Sequence, residues 1–177
     1  MSLSLHNASG RRVRFLVRLG ELPVIYTHPL EPEESLKVAL DTPYHISASA
    51  RSKGNVIGTE NHSLGLRSRV AVRLEPSDYP DYDNMLLSQE PGSDDGLTLL
   101  NQCGSPVLFH IGREHSMGYS VLVQDALLAL QVGSSLSVTV IVEGITLPMV
   151  NVHPFARITV ENTHPELKRG FFRIVVS

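Results

Sequence analysis

Apolar and polar residues alternate along much of this 177-residue chain. Leu3 and Leu5 alternate with polar neighbours, and so do Val13, Phe15 and Val17. A period of two is typical of β-strands that bury one face. The pattern predicts strands at 2–7, 12–19, 23–28, 36–40, 44–51 and 66–74 in the first half, and at 97–102, 106–112, 119–124, 127–132, 136–143, 155–161 and 171–176 in the second.

Short strands separated by turn residues are typical of a sandwich or barrel. The chain holds 13 Gly and 11 Pro, and it lacks the alternating long helices of a parallel α/β fold. We therefore predict an all-β fold of two tandem β-sandwich-like repeats packed together. Short helical turns stay open near 32–36 and 121–130, where apolar residues also fit a helical spacing.

One stretch of the chain is nearly repeated. LSLHNASGRRVRF at 3–15 and LTLLNQCGSPVLF at 97–109 agree at six of thirteen positions without a gap, where average residue usage gives about one. The shared residues include Asn7 with Asn101 and Gly10 with Gly104, which favour chain reversal. The repeat therefore predicts a β-hairpin at the start of each half. A duplicated ligand loop is the alternative, but neither stretch carries reactive groups.

The composition divides the chain into a first repeat at 1–74, a linker at 75–96 and a second repeat at 97–177. The linker contains seven acidic residues and no Lys or Arg, and Met85, Leu86 and Leu87 in its middle predict that it docks on the surface. A separate sandwich of only 75–80 residues buries little core, so we expect the two repeats to pack on each other.

Positive charge is concentrated in the first half, although the net charge of the chain is −3. Arginines alternate with buried-type residues on two predicted strands. If these strands share a sheet, one outer face carries all six: Arg12, Arg14, Arg18, Arg67, Arg69 and Arg73. The guanidinium fork suits carboxylate and phosphate groups. We predict a partner-binding face for an anionic ligand or an acidic protein. A face paired with the acidic linker, or simply solvated, is the plainer interpretation.

Metal and cofactor motifs are missing from the sequence. His28, His153 and His164 precede proline, which favours loops, and no histidine pair has helical ligand spacing. Cys103, His110, His115 and Met117 lack the spacing of a copper loop. Asp78, Asp81 and Asp83 lack the register of an EF-hand. We predict no metal site and no cofactor.

Nucleophile and phosphate-loop motifs are also missing, so we predict no catalytic residue and no enzyme. The chain has no Trp and five Tyr, and only Tyr79 and Tyr82 form an aromatic pair expected to be exposed. This composition disfavours a lectin, although carbohydrate stays open as a ligand. Nucleic acid is an unlikely partner because the chain is acidic and lacks strands with interleaved stacking aromatics.

The function predicted from the sequence is that of a non-catalytic binding or assembly module. A homo-oligomer is expected, because SLSVTVIVEG and GFFRIVV are apolar on both faces. The alternative is a lectin-like or membrane-surface ligand-binding protein with loop sites in each repeat, and an enzyme with an unrecognised site comes third. One cysteine, no signal-peptide pattern and no apolar run of membrane length predict a soluble cytoplasmic protein, with non-classical export left open.

Overall fold

A computed structural model describes residues 1–92, 96–113, 118–124, 126–167 and 170–177. Within these ranges the chain forms eighteen strands and no helix. In the first half they are β1 (Ser2–Ala8), β2 (Val13–Leu19), β3 (Leu22–Tyr26), β4 (Ser35–Ala39), β5 (Tyr44–Ser52), β6 (Asn55–Gly58), β7 (His62–Leu64), β8 (Ser68–Pro76) and β9 (Asp83–Pro91). In the second half they are β10 (Gly96–Gln102), β11 (Val107–Arg113), β12 (Tyr119–Val123), β13 (Leu127–Gln131), β14 (Leu136–Val142), β15 (Ile145–Thr146), β16 (Val150–Val152), β17 (Arg157–Asn162) and β18 (Phe172–Val176).

The all-β prediction is confirmed, and each predicted strand is present within a few residues of its expected bounds. Five strands were not predicted: β6, β7, β9, β15 and β16. The helical turns left open near 32–36 and 121–130 do not form in the described residues there, because β4, β12 and β13 occupy most of these positions. A search of the described residues for a helix long and apolar enough to cross a membrane finds none.

The chain forms two compact units, and each unit combines both halves of the sequence. The first unit contains the described residues of 1–42 and 134–177, and the second contains those of 43–113 and 118–133. These bounds differ from the expected division into 1–74, 75–96 and 97–177. Alternation along the chain reveals strands but not their partners, so the composition could not place these boundaries.

The first unit contains two sheets. A four-stranded sheet has the order β18-β17-β1-β4, with β1 parallel to β17, and a five-stranded sheet contains β15-β14-β2-β3 with β16 also paired to β14. The inward residues of both sheets are fully buried and form the core of this unit. They include Leu3 and Leu5 on β1, Phe15 on β2, Val140 on β14 and Ile158 on β17.

The second unit has the same strand order as the first. Each of its strands is the one nine positions later in the chain, where the count continues from β18 to β1. Its sheets are β9-β8-β10-β13, with β10 parallel to β8, and β6-β5-β11-β12 with β7 also paired to β5. Its buried core includes Leu97, Leu99, Phe109, Ile46 and Val70. The equal strand orders agree with the sequence repeat, while gene duplication stays a hypothesis about its origin.

The predicted linker contains a long strand. β9 pairs with β8 over nine residue pairs, from Ser68 opposite Pro91 to Pro76 opposite Asp83. Met85 of this strand is buried, as expected for a segment that docks. The remaining residues of β9 are largely polar because it is an edge strand with one face in solvent, and this polarity gave the segment the composition of a linker.

The predicted hairpins are wrong, because β1 and β2 lie in different sheets, as do β10 and β11. In each unit the chain leaves one sheet after the first strand and enters the other at the second. Gly10 and Gly104 adopt positive φ angles of 71° and 68° in these crossovers. Glycine adopts this conformation without steric cost, so the expectation of a sharp turn was right although the turn joins two sheets.

A buried asparagine holds the crossover of the first unit. The Asn7 side chain is fully buried, and its Nδ2 donates toward the carbonyls of Arg11 (2.6 Å), Leu30 (2.9 Å) and Glu31 (3.0 Å). Its Oδ1 accepts from the backbone N–H of Ser9 at 3.1 Å. One amide thus satisfies backbone groups from the crossover and from the segment before β4.

Asn101 repeats this arrangement in the second unit. Its Nδ2 donates to the carbonyls of Ser105 (2.8 Å) and Val123 (2.9 Å), and its Oδ1 accepts from the N–H of Cys103 at 2.9 Å. The equivalence of Cys103 and Ser9 supports the reading of Cys103 as a turn position. The shared Asn and Gly of the sequence repeat therefore have a structural role.

We expect Asn7→Ala and Asn101→Ala each to lower the free energy of unfolding by about 1–3 kcal/mol, because the backbone N–H groups of Ser9 and Cys103 would lose the side-chain oxygen that accepts from them. Urea unfolding followed by circular dichroism measures the change. Asn151→Ala, at an exposed position on β16, is the matched control and should change stability little. Equal stability of all three variants would contradict a structural role for the buried amides.

Candidate functional site

The outer face of β2 in the first unit carries three of the six arginines predicted to bind an anionic partner. Val13, Phe15 and Val17 are fully buried on one side of the strand. Arg14 and Arg18 point to the other side and are partly exposed, and Arg12 is exposed just before the strand begins. Strand alternation alone produces this division.

Two neighbouring strands position these guanidinium groups. Arg14 Nη1 donates to the hydroxyl of Tyr26 on β3 at 3.1 Å, and its guanidinium carbon lies 5.6 Å from the centre of the tyrosine ring. Arg18 Nη1 donates to Oγ1 of Thr139 on β14 at 3.3 Å. Leu16 lies between the arginines and is opposite both Tyr26 and Thr139. The arginines are thus held to the sheet by neutral oxygens.

A cleft of about 420 Å³ opens beside Arg12 and Arg14. Tyr26, Pro29 and Ile141 supply its aromatic and apolar walls, and Glu143 and Gly144 complete its lining. Arg12 pairs with Glu31 at 2.8 Å, and Arg11 pairs with Glu143 at 3.6 Å. These carboxylates are half exposed, and exposed ion pairs contribute about 0–1 kcal/mol, so an incoming anion competes with them at small cost.

Arg14 and Arg18 differ from Arg12, which has a carboxylate partner in Glu31. Among the described residues, no carboxylate lies within ion-pair distance of either guanidinium; the partners are the Tyr26 and Thr139 hydroxyls. Hydroxyl oxygens orient a guanidinium without neutralising it. The remaining donors of both forks are available for an oxyanion.

The other three arginines do not share this sheet. Arg69 and Arg73 lie on β8 and Arg67 directly precedes it, and β8 belongs to the four-stranded sheet of the second unit. The expectation of one sheet face with six arginines is therefore wrong. The error arose because both strands alternate in the same way, and alternation does not reveal which sheet a strand joins.

The acidic segment compensates part of the β8 charge. Arg69 is opposite Glu90 of β9, and Arg73 Nη2 lies 2.8 Å from Glu75 Oε1. The acidic segment therefore lies beside the arginines of β8, in the second unit. In the part of the chain that the structure describes, the three arginines of the first unit have no such segment in their own sheet.

Asp83, the first residue of β9, also fixes the acidic segment. Ser52 Oγ donates to this carboxylate at 2.5 Å, and Lys53 Nζ lies 2.9 Å from it. Lys53 also donates to the carbonyl of Pro80 at 3.0 Å. The hydrogen bond from Ser52, followed by that from Lys53, lowers the pKa of Asp83 below its ordinary value of 3.8. Asp83 is a structural anchor and is not grouped with Asp78 and Asp81 as an oxygen site in the described residues.

The remaining candidates that the structure describes form no group of three or more possible metal ligands. Cys103 lies in the second crossover, where burial raises the pKa of its thiol, and its Sγ is 3.5 Å from the carbonyl of Val72. Tyr79 and Tyr82 are exposed, as expected, at 72% and 53%. His28, His153 and His164 are exposed loop residues, and His115 and Met117 lie outside the described residues.

Tyr26 and Thr139 were missed by the sequence reasoning. Tyr26 is the last residue of β3. The pairing of β3 with β2 is irregular between Val17 and Arg18, so the consecutive residues Val24 and Ile25 are both buried and the alternation of β3 is interrupted. Thr139 is 121 residues from Arg18, and only the pairing of β2 with β14 brings them together. No local pattern identifies either residue as a partner of an arginine.

The Asp83 anchor has a defined pH dependence. Because the folded pKa is depressed, the anchor stabilises the fold above the unfolded pKa, and this contribution is lost as the pH falls through the folded pKa. We expect a carbon-detected NMR titration to place the Asp83 midpoint below 3.8. Ser52→Ala and Lys53→Met should raise the midpoint, whereas Lys37→Met in the first unit should not. A midpoint at or above 3.8 in the unsubstituted protein would contradict the anchor.

Comparison of the chain with protein-family models, with curated proteins and with solved structures gives no match. Function is therefore inferred from the residues and geometry of this chain alone.

Proposed function

We propose that the chain is a non-catalytic binding module whose first unit recognises an anionic partner through the outer face of β2. The observation that supports this most directly is the state of Arg14 and Arg18. Both guanidinium groups are oriented by hydroxyls of neighbouring strands, and no described carboxylate pairs with them. A carboxylate or phosphate group on a partner would supply the missing countercharge.

The surroundings of Arg14 favour a specific contact over a diffuse one. The guanidinium is partly exposed and stacks on Tyr26, which restricts its motion before a ligand arrives. A side chain that is ordered in advance loses less conformational entropy on binding. The neighbouring cleft of about 420 Å³ has room for an acidic side chain of a partner protein or for a small phosphate ligand.

The non-catalytic part of the proposal rests on the sequence, which lacks nucleophile and phosphate-loop motifs. Groups of three or more His, Cys, Asp and Glu side chains that could hold a metal do not occur in the described part of the chain. The groups around Arg14 support a binding role, since the described lining of its cleft offers guanidinium donors and the Tyr26 hydroxyl, and its one carboxylate, Glu143, pairs with Arg11.

Assembly into a homo-oligomer stays a prediction, and one of the two apolar strands on which the sequence based it is already covered within the single chain. Leu136–Val140 of β14 are buried on both faces within the single chain, so this strand does not need a second copy to cover it. Phe171 and Val176 near and on β18 remain exposed at 54% and 43%. These residues carry what remains of the argument for assembly.

The binding proposal is tested by two charge-matched triple variants. Arg12→Gln, Arg14→Gln and Arg18→Gln together should lower the salt concentration that elutes the protein from phosphate-bearing and carboxylate-bearing resins. Arg67→Gln, Arg69→Gln and Arg73→Gln together remove the same charge and should shift elution less, since Arg73 already pairs with Glu75 and Glu90 of β9 lies opposite Arg69. If both variants shift the elution salt concentration equally, net charge alone explains the retention, and the proposal is contradicted.

Arg14→Gln alone provides a quantitative test. A hydrogen bond to a charged group contributes about 1.5–3 kcal/mol, so this variant should bind a short poly-glutamate peptide or inorganic phosphate at least about tenfold more weakly. Isothermal titration calorimetry with each probe measures the change and separates the two ligand sources. Circular dichroism confirms the fold of the variant, and unchanged affinity for whichever probe binds would exclude Arg14 from the site.

A further inference from the structure

A second cleft, of about 450 Å³, lies on the outer face of the five-stranded sheet in the second unit. It is formed by β5, β11 and β12 together with the start of β7. Its polar lining contains two imidazoles, two hydroxyls and an amide, from His45, His110, Ser47, Ser120 and Asn61. Both histidines are exposed, so their rings are accessible to solvent.

The strand register brings the two histidines together. His110 of β11 is opposite Ser47 of β5, and Gly112 is opposite His45. His45 and His110 are therefore diagonal neighbours on one face of adjacent antiparallel strands. Such positions are about 7–8 Å apart, within the reach of aromatic side chains.

The equivalent face of the first unit explains why this cleft is open. Val107 and Phe109 correspond to Val13 and Phe15 in the sequence repeat, so Gly112 corresponds to Arg18. In the first unit the Arg18 side chain extends across the sheet to Thr139. Gly112 has no side chain and leaves the space beside His45 free. A Cβ atom there would meet no heavy atom within 4 Å, so close packing does not require this glycine.

Ser120 fixes the orientation of one imidazole. His110 Nδ1 lies 2.7 Å from Ser120 Oγ on β12, so this ring nitrogen is engaged. The Nε2 atom is then the ring nitrogen left for an external ligand. A hydrogen bond to one nitrogen that orients the other is the usual support of a metal-binding histidine.

The charges around the pair are few. The nearest lining cation, Arg113, is almost fully buried, and its guanidinium stacks on Tyr44 at 4.7 Å from the ring centre, on the inner side of the sheet. No Asp or Glu lines the described part of the cleft. Imidazole ligands without carboxylates favour Ni²⁺, Cu²⁺ or Zn²⁺ over Ca²⁺ or Mg²⁺.

We propose that His45 and His110 form a binding site for a late first-row divalent metal ion, held across two strands by two imidazoles. The described residues contain no group of three candidate ligands, so the site supplies two protein ligands. Water or a ligand group from a partner fills the remaining coordination positions. The site is independent of the arginine face, because it lies in the other unit and uses none of its residues.

The experiment titrates the untagged full chain with Ni²⁺, Cu²⁺ and Zn²⁺ separately at pH 7.5. Calorimetry gives affinity and stoichiometry, and paramagnetic broadening by Ni²⁺ or Cu²⁺ in NMR spectra locates the ion. We expect broadening to centre on His45 and His110, and each of His45→Ala and His110→Ala to weaken binding at least tenfold. His6→Ala is the matched control, because His6 Nδ1 lies 2.8 Å from Ser35 Oγ in the same cross-strand arrangement, whereas His6 is not among the residues that line this cleft.

Gly112→Arg is the complementary variant. It keeps both histidines and restores the side chain of the first unit, and the open space at this position should let it fold normally. We expect it to weaken metal binding by occupying the cleft and adding a positive charge. The proposal is overturned if none of the three metals binds. It is also overturned if broadening centres on other histidines, or if His6→Ala weakens binding as much as His45→Ala.

Discussion

The fold depends on one buried amide in each unit, at the point where the chain leaves one sheet and enters the other. Asn7 and Asn101 each donate from Nδ2 to a carbonyl of the crossover and to a carbonyl from another part of the unit, and each Oδ1 accepts an N–H of the turn. Without these amides, the N–H groups of Ser9 and Cys103 would lose their acceptors, at a cost of about 1–3 kcal/mol each. Because the crossover separates β1 from β2, β2 is free to pair with β14 and β3, and its outer face carries Arg14 and Arg18.

Each unit needs strands from both halves of the chain, and so does each candidate site. Arg18 of β2 bonds Thr139 of β14, and His110 of β11 lies diagonal to His45 of β5. The arginine face and the histidine cleft lie on the outer faces of equivalent sheets. Their chemistry differs because Arg14, Leu16 and Arg18 of the first unit correspond to Leu108, His110 and Gly112 of the second in the sequence repeat. The same strand arrangement thus presents guanidinium donors in one unit and imidazole nitrogens in the other.

Charge compensation separates the two sets of arginines more clearly than their sequence pattern does. On β8, Arg73 pairs with Glu75, and Glu90 of the neighbouring strand lies opposite Arg69, so acidic residues lie next to this positive charge within the same sheet. On β2, the contacts of Arg14 and Arg18 are hydroxyls, which orient the guanidinium groups and leave their charge in place. The proposed recognition surface therefore rests on charge that neutral neighbours orient, rather than on the number of arginines on a strand.

The sequence by itself determined the all-β class, most strands and the side of each strand that is buried, because alternation depends only on neighbouring residues. It also identified Asn7, Asn101, Gly10 and Gly104 as turn residues, since their backbone preferences are local. It could not recognise β9, whose exposed edge face reads as a polar linker. Only the tertiary structure decided that β1 and β2 lie in different sheets, that the arginines divide between two units, and that His45 lies diagonal to His110 on adjacent strands. Strand pairing joins residues far apart in the chain, and no local pattern encodes which partner a strand selects.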